Sequence, residues 1–172
     1  NVAHFSAARM GGLMLGYAQK AGISALHDAK LVFFLGADEC DFGKFGGFKV
    51  YIGHHGDNGA AHADVVLPGA SYAEKSGTWV NLEGRVQRGE RAVFPPGDAR
   101  EDWTILRALS ETMGKTLPFD TLEELRADMA TDQPLLAELG LKTFEWNPPA
   151  LGAKGEGVLE GYPIKDFYLT NA

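Results

Sequence analysis

The sequence predicts an α/β fold in which a parallel sheet is followed by a β-hairpin, two helices and an extended tail. Three short apolar runs each end at glycine or at a Pro-Gly pair, as expected for buried strands of a parallel sheet. They lie at 31–35, 48–52 and 65–67. Downstream, β-branched and aromatic residues precede the turn residues 81–84, which is typical of a hairpin over 77–88. Two capping-box patterns then predict helices over about 99–130.

The first apolar run, Leu-Val-Phe-Phe-Leu at 31–35, is apolar at every position, so we expect a strand covered on both faces. The connection over 38–47 is shorter than the dozen or more residues that a helical crossover usually takes, and we interpret it as a trimmed loop. Upstream, glycines interrupt the helical spacing over 1–21, which predicts a broken helix. A short helix is expected over 23–29.

The hairpin and the two helices carry local start and stop residues. Gly84 can adopt the left-handed conformation that a tight return needs. The first helix is expected to start from a capping box at Asp98 to Glu101 and to end at Gly114. A second capping box, Thr121 to Glu124, opens the other helix. We therefore divide the chain into a domain over 1–146, with α/β strands to about 70, and a tail over 147–172.

The tail is rich in glycine and proline and has no regular apolar spacing, so we expect it to be either disordered or laid against a neighbouring protein. Aromatic and aliphatic residues at its end would serve as anchors. These are Tyr162, Ile164, Phe167, Tyr168 and Leu169.

Composition excludes several classes of function. The net charge of −7 argues against a nucleic-acid-binding surface, which would need clustered positive charge. No apolar run is long enough for a transmembrane helix, so direct membrane insertion is not expected. Cys40 is the one cysteine among 172 residues, and alone it cannot hold an iron–sulfur cluster. Because position 1 is Asn, we expect a piece of a longer protein whose preceding part holds most of the chemistry.

The segment 63–87, ADVVLPGASYAEKSGTWVNLEGRVQ, resembles the molybdopterin-dependent oxidoreductases. With the preceding HHGDNGAAH and the following PPGDAREDWTILRALSE, the chain is more narrowly similar to the large iron–sulfur subunits of respiratory complex I, NADH–quinone oxidoreductase. The resemblance implies a Rossmann-like sheet fragment of a molybdopterin-oxidoreductase-type fold that has lost its cofactor.

This resemblance implies a scaffolding role in the peripheral arm of the complex, on the cytoplasmic or matrix side of the inner membrane, with the other peripheral-arm subunits as partners. It implies no cofactor in this segment and 2Fe-2S and 4Fe-4S clusters in the part of the subunit that precedes it. Two alternatives stay open. One is an active molybdopterin-dependent enzyme such as a formate dehydrogenase, and the other is a free-standing Rossmann-like binding module.

The densest cluster of potential metal ligands is in and after the loop that follows the second strand. It comprises His54, His55, Asp57, His62 and Asp64. Their spacing matches no helix-borne ligand pair, and adjacent histidines usually diverge, so we predict loop histidines bonded to backbone and no metal site.

The hairpin carries the pattern GT-x-x-N-x-EGR that is shared with the resembling families. Its polar members are Thr78, Asn81, Glu83 and Arg85. If the chain belonged to an active molybdopterin enzyme, the resemblance would make these four residues cofactor-binding. We favour a structural hairpin in which Asn81 caps the turn and Arg85 pairs with a carboxylate, and we predict no catalytic residue.

The remaining candidates have ordinary structural interpretations. Lys75, Arg85, Arg88 and Arg91 form a modest basic group that we expect to be mostly solvated. Nearby acids should raise the pKa of Cys40, which argues against a nucleophile. Asp38 and Glu39 are expected to be exposed loop carboxylates. Trp79 and Trp103 are expected to be core or interface anchors.

Overall fold

The computed structural model describes residues 9–17 and 22–141, and all the elements below lie in these ranges. The strands are β1 (Leu31–Leu35), β2 (Phe48–Gly53), β3 (Val65–Pro68), β4 (Gly77–Val80) and β5 (Val86–Gly89). The helices are α1 (Arg9–Met14), α2 (Asn58–His62), α3 (Asp102–Thr112) and α4 (Leu122–Asp132). Short 3-10 helices lie at Gly22–Leu26, Phe42–Lys44 and Pro134–Ala137.

The first three strands form a parallel sheet in the order β1-β2-β3, which confirms the predicted α/β fold class. Leu31 pairs with Phe48 at the start of the sheet, and Val50 pairs with Val65. Because the strands are parallel, their carboxyl ends meet at one edge, where Gly36, Gly53 and Gly69 follow each other across the sheet.

One face of the sheet is closed by the short connection between β1 and β2. Val32 and Phe34 of β1 pack with Tyr51 of β2 against Phe42 and Phe45, and all five are buried. Burying each phenylalanine contributes about 1.5–3 kcal/mol relative to leaving it exposed. The twelve residues between β1 and β2 thus replace a crossover helix with a 3-10 helix and place two aromatic rings in the core.

The opposite face of the sheet contradicts our expectation that β1 is covered on both faces. Leu35 is 52% exposed and Phe48 is 49% exposed, while Val50 and Ile52 at the middle of the sheet are buried. Among the described residues, the segment around Gly69 approaches Ile52, whereas Leu31 and Leu35 of the outer strand β1 stay exposed. An all-apolar strand sequence therefore predicted the parallel pairing correctly and the cover incorrectly.

Helix α2, which the sequence analysis did not predict, connects β2 to β3 and is held by Asp38. The Asp38 carboxylate accepts hydrogen bonds from the Tyr51 hydroxyl (2.8 Å) and from the Gly59 backbone amide (2.7 Å). The Asn58 side-chain amide donates to the Asp38 carbonyl oxygen at 3.3 Å. One loop residue after β1 thereby joins the next strand and its following helix.

The hairpin β4–β5 is antiparallel, with Val80 opposite Val86, and Gly84 has the expected positive φ of 85°. Val80 and Val86 form a second, smaller core with Leu136 of the last 3-10 helix. Met10 and Met14 of α1 pack against this core. Helix α1 is the described part of the predicted broken helix, so the first helix and the hairpin meet across a long stretch of sequence.

Helix α3 starts later than predicted, and the capping box at Asp98 to Glu101 is wrong. The helix begins at Asp102, and its N-cap Glu101 makes no side-chain capping bond. The reason is that Arg100 is extended: its amide donates to Pro68 (3.1 Å), and its carbonyl accepts from Ala70 (2.8 Å). A backbone in strand-like pairing cannot also form the first helical turn.

The end of α3 and the start of α4 are confirmed, whereas the short helix expected over 23–29 is a 3-10 helix at Gly22–Leu26. Gly114 follows α3 with a positive φ of 73°, and Thr121 and Glu124 form the predicted capping box of α4. The predicted tail over 147–172 lies outside the described residues, so its expected anchoring stays a prediction. Within the described ranges, no helix has both the length and the apolar character needed to cross a membrane.

Gly59 tests the junction around Asp38. A β-carbon at Gly59 would overlap the Tyr51 ring and lie 2.9 Å from Asp38 Oδ1. We expect Gly59→Ala to lower the free energy of unfolding by about 1–3 kcal/mol, although alanine is the better helix former. Gly56→Ala is the control, because nothing lies within 4 Å of its β-carbon position. Urea unfolding followed by circular dichroism measures both, and equal stabilities would contradict the close packing.

Candidate functional site

The first candidate site is a cleft at the carboxyl edge of the parallel sheet, where open α/β sheets usually bind ligands. It has a volume of about 430 Å³ and lies between the ends of β2 and β3 and the segment before α3. The lining residues are Gly53, His54, His55, Pro68, Gly69, Ser71, Glu74, Pro96, Asp98 and Ala99. We call it the strand-end cleft.

The polar groups of the strand-end cleft are largely bonded to one another. The Gly69 amide donates to the Gly53 carbonyl oxygen at 2.9 Å, and the Ser71 amide donates to the Glu74 carboxylate at 2.9 Å. A β-carbon at Gly69 would collide with Asp102, so the strand end is tightly packed there. The residues that line the cleft include the carboxylates Glu74 and Asp98 and no lysine or arginine. Its edge therefore carries two carboxylates, and the Gly69 and Ser71 amides already have acceptors.

His54 and His55 do not diverge as we expected, since their ring centroids lie 4.2 Å apart. Burial lowers the pKa of His54, and the neighbouring charges of His55 and Lys75 lower it further. Glu74 and Asp102 oppose this shift. The His54 imidazole is therefore kept neutral at the edge of the strand-end cleft at neutral pH.

Two other members of the predicted cluster, His62 and Asp64, serve separate structural purposes, and Asp57 precedes α2 without a side-chain capping bond. His62 stacks on Phe42 with a centroid distance of 5.5 Å, and its Nδ1 lies 2.9 Å from the Asn58 carbonyl oxygen. Asp64 accepts a hydrogen bond from the Lys49 amide at 2.7 Å. In the described ranges, no three histidine, cysteine, aspartate or glutamate side chains are grouped to hold a metal ion.

The loop after β1 gives one correction. Glu39 is exposed as expected, but Asp38 is half-buried, and both of its carboxylate oxygens accept hydrogen bonds in the Tyr51–Gly59 junction. The pKa of Cys40 is raised, first by burial and then by Asp38 and the other nearby acids. This direction agrees with the predicted absence of a reactive thiolate. The loop is structural.

The hairpin turn is held by Asn81, as predicted. Its side-chain oxygen accepts hydrogen bonds from the amides of Glu83 (3.1 Å) and Arg85 (2.8 Å). The proposed pairing of Arg85 with a carboxylate is wrong for the described part of the chain, where the structure shows no ion pair of the exposed Arg85 guanidinium. The amide of Arg85, rather than its charge, fixes the turn.

The four residues of the GT-x-x-N-x-EGR pattern are not brought together in one site. Thr78 lines a cavity between the hairpin and the helices α3 and α4. Glu83 and Arg85 line a different, mainly apolar groove of about 610 Å³ beside Met10 and Met14. Because the Asn81 side chain is used within the turn, the hairpin presents no common binding surface of these four side chains.

The predicted basic group is also divided. Lys75 forms an ion pair with Asp102, and Arg91 forms one with Glu101 at 3.3 Å. Arg91 also lies over the ring of Phe94, 4.5 Å from its centroid. Trp103 packs as a partly buried anchor and donates from Nε1 to Glu101 at 3.0 Å. Two of the four basic side chains therefore stabilise the junction between the hairpin and α3.

Comparison with known proteins agrees with this fold. The family model described as molybdopterin oxidoreductase matches residues 1–112, so the chain belongs to the molybdopterin oxidoreductase family. The matched range contains the parallel sheet, the strand-end cleft, the hairpin and α3.

Within this family, the chain resembles a particular group of proteins. It is 40% identical to the NADH-ubiquinone oxidoreductase 75 kDa subunit of Reclinomonas americana and 46% identical to the mitochondrial NADH-ubiquinone oxidoreductase 78 kDa subunit of Neurospora crassa. Both alignments cover the whole chain and about a quarter of the relative, 26% and 25% respectively. The 78 kDa subunit of Candida albicans is 48% identical over 79% of the chain, which is 19% of that protein. The narrower resemblance found in the sequence is confirmed.

Asn81 and Arg85 give a matched test of the turn. We expect Asn81→Ala to lower the free energy of unfolding by about 1 kcal/mol, because two backbone amides lose their acceptor. Arg85→Ala should change it by less than about 0.5 kcal/mol, since an exposed residue without an ion pair contributes little. Chemical denaturation of the two variants measures the difference. A cost for Arg85→Ala as large as that for Asn81→Ala would show that the guanidinium has a stabilising partner.

The neutral His54 predicts a pH dependence of stability. Its folded-state pKa lies below the ordinary value of 6.5, so the unfolded state binds more protons as pH falls through that value. Stability should therefore decline from about pH 6.5 downward to the lowered folded-state pKa. His54→Gln should reduce this decline, and denaturation midpoints at pH 7 and pH 5 measure it. The assignment is wrong if His54→Gln and the parent chain lose the same stability between the two pH values.

Proposed function

We propose that the chain is a structural part of the large subunit of a complex I-type NADH–quinone oxidoreductase. The observation that carries this proposal is the similarity along the whole chain, at 40% and 46% identity, to the 75 and 78 kDa subunits of NADH-ubiquinone oxidoreductases. The enzyme activity belongs to the assembled complex, and this segment supports electron transfer from NADH to quinone as a scaffold in the peripheral arm.

The electron path is proposed to run through 2Fe-2S and 4Fe-4S clusters held by another part of the subunit. Iron–sulfur clusters are usually held by four cysteine thiolates, and this segment contains one cysteine. That residue, Cys40, packs against the core of the parallel sheet, and its pKa is raised, which disfavours the thiolate form needed for a metal ligand.

We further propose that the segment binds no molybdopterin. Molybdopterin carries phosphate, which proteins bind with free backbone amides or with cationic side chains. The strand-end cleft does not fit such a group, because the amides of Gly69 and Ser71 are already bonded and Glu74 and Asp98 would repel a phosphate. The hairpin does not supply the missing charge, since Arg85 lines a separate groove.

The partners that follow from this proposal are the other subunits of the peripheral arm, with the complex on the cytoplasmic or matrix side of an inner membrane. The exposed apolar surface of the sheet supports a role in assembly. Leu35 and Phe48 are about half exposed, and Leu31 and Val65 are somewhat less exposed. Apolar surface of this kind is stabilised when another polypeptide covers it.

The proposal is tested by affinity purification of the natural polypeptide that contains this chain. We expect it to co-migrate with NADH–quinone oxidoreductase activity on a native gel. Elemental analysis and extraction of oxidised pterin should show iron without stoichiometric molybdenum or pterin. A polypeptide that separates from this activity and carries one molybdenum per chain would overturn the proposal in favour of an active molybdopterin enzyme.

A further inference from the structure

A pocket between the hairpin and the helices α3 and α4 contains an arginine side chain whose guanidinium lacks part of its hydrogen bonds. Its volume is about 260 Å³, and Arg126 of α4 forms part of its wall. The other walls come from Trp79 of β4, Trp103 of α3, and Leu122, Leu125 and Met129 of α4. We call it the Arg126 pocket.

Two nitrogens of the Arg126 guanidinium are buried and donate no hydrogen bond to the described residues. The side chain is 12% exposed, and its Nε and Nη2 atoms are buried without an acceptor in the described structure. Buried polar atoms nearly always have a partner, since a donor removed from water without an acceptor destabilises the fold. An uncompensated buried cation is less favourable still. Arg126 is therefore poorly explained as a structural residue.

The nearest carboxylate, that of Glu90, does not compensate this charge. Its Oε1 lies 3.9 Å from Arg126 Nη2, which is beyond hydrogen-bond distance, and its side chain is 73% exposed. The other oxygen, Oε2, accepts a hydrogen bond from the Ser76 hydroxyl at 3.1 Å. Because the Glu90 carboxylate is exposed and 3.9 Å away, solvent weakens its attraction for the buried guanidinium.

The other charged groups of the pocket are already paired. Lys75 is bonded to Asp102. Glu101 accepts a hydrogen bond from Trp103 Nε1 and forms an ion pair with Arg91. These two groups are neutral, and the only carboxylate left near the Arg126 guanidinium among the described residues is that of the exposed Glu90. The ligand that suits the pocket is therefore an anion, and a carboxylate matches the planar guanidinium.

The size and walls of the pocket indicate what carries the carboxylate. Pockets for drug-sized molecules usually measure about 300–1,000 Å³, and the Arg126 pocket is smaller. A single side chain with a short apolar stem suits this volume and the leucine and methionine walls. Arginine and tryptophan are also the residue types that most often dominate protein–protein interfaces. We propose that the Arg126 pocket receives the side-chain carboxylate of an Asp or Glu residue from a neighbouring subunit.

The presence of a neighbouring subunit rests on the proposed function, so the pocket is first tested on the full chain alone. We expect Arg126→Met to melt at the same temperature as the parent chain or higher, because a buried charge is replaced by an apolar side chain of similar length. A clearly lower melting temperature would show that the guanidinium is paired within the chain and would overturn the inference.

Binding is then measured with two matched probes, N-acetylglutamate α-amide and N-acetylglutamine α-amide. Their titrations are followed by NMR of the Arg126 Nε–H and the Trp79 and Trp103 indoles. We expect a saturable shift that is at least about tenfold weaker for the glutamine probe and for Arg126→Met. Glu90→Gln should bind the glutamate probe as well as the parent chain does. Equal binding of the two probes, or no saturable shift, would overturn the inference that the Arg126 pocket binds a carboxylate.

Assembly distinguishes a subunit from a free carboxylate. In the natural complex, Arg126→Met should reduce co-purification of partner subunits, whereas Arg88→Met, an exposed arginine on β5, should not. If both variants assemble like the parent, the neighbouring subunit is the wrong occupant, although the proposed function stands. If the parent itself does not co-purify, the proposed function fails, and the probe titration still decides the chemistry of the pocket.

Discussion

The backbone pairing of Arg100 with the end of β3 determines where the second half of the structure lies. Its amide and carbonyl bond to Pro68 and Ala70, so the chain returns to the sheet edge after the hairpin has formed. This pairing delays α3 until Asp102, which then meets Lys75 at the start of the hairpin. The sheet, the hairpin and α3 are thus joined by a few backbone bonds and two ion pairs, Lys75–Asp102 and Arg91–Glu101. Both the strand-end cleft and the Arg126 pocket adjoin this junction.

The sheet itself depends on compact connections. A crossover between parallel strands usually needs a helix to cover the sheet, yet the β1–β2 connection uses one 3-10 turn and the β2–β3 connection uses the five-residue α2. Phe42 and Phe45 supply the buried area that a longer helix would have supplied. Asp38 then fixes α2 through the Gly59 amide and fixes β2 through Tyr51. Because the Tyr51 ring and the Asp38 carboxylate lie directly against Gly59, there is no space for a β-carbon at this position.

Features set by local sequence could be predicted, and features set by distant contacts could not. The three strands, the hairpin turn and the Thr121 capping box each depend on residues a few positions apart. The start of α3 depends on Pro68, more than thirty positions before it, and this overrode a plausible capping pattern. Likewise, the half-burial of Asp38 follows from Tyr51 and Gly59, which its own loop does not reveal. The histidine and aspartate cluster and the GT-x-x-N-x-EGR residues do not form one site each, because His62, Asp64 and Asn81 are held by separate local contacts.

The two cavities near the Arg100 pairing differ in whether their polar groups have hydrogen-bond partners within the chain. At the strand-end cleft, the amides of Gly69 and Ser71 have acceptors within the chain, so the edge is stable without a ligand. In the Arg126 pocket, by contrast, two buried nitrogens of the guanidinium have no acceptor in the described structure. Since buried donors without acceptors oppose folding, the partner carboxylate proposed above would offset this cost on assembly.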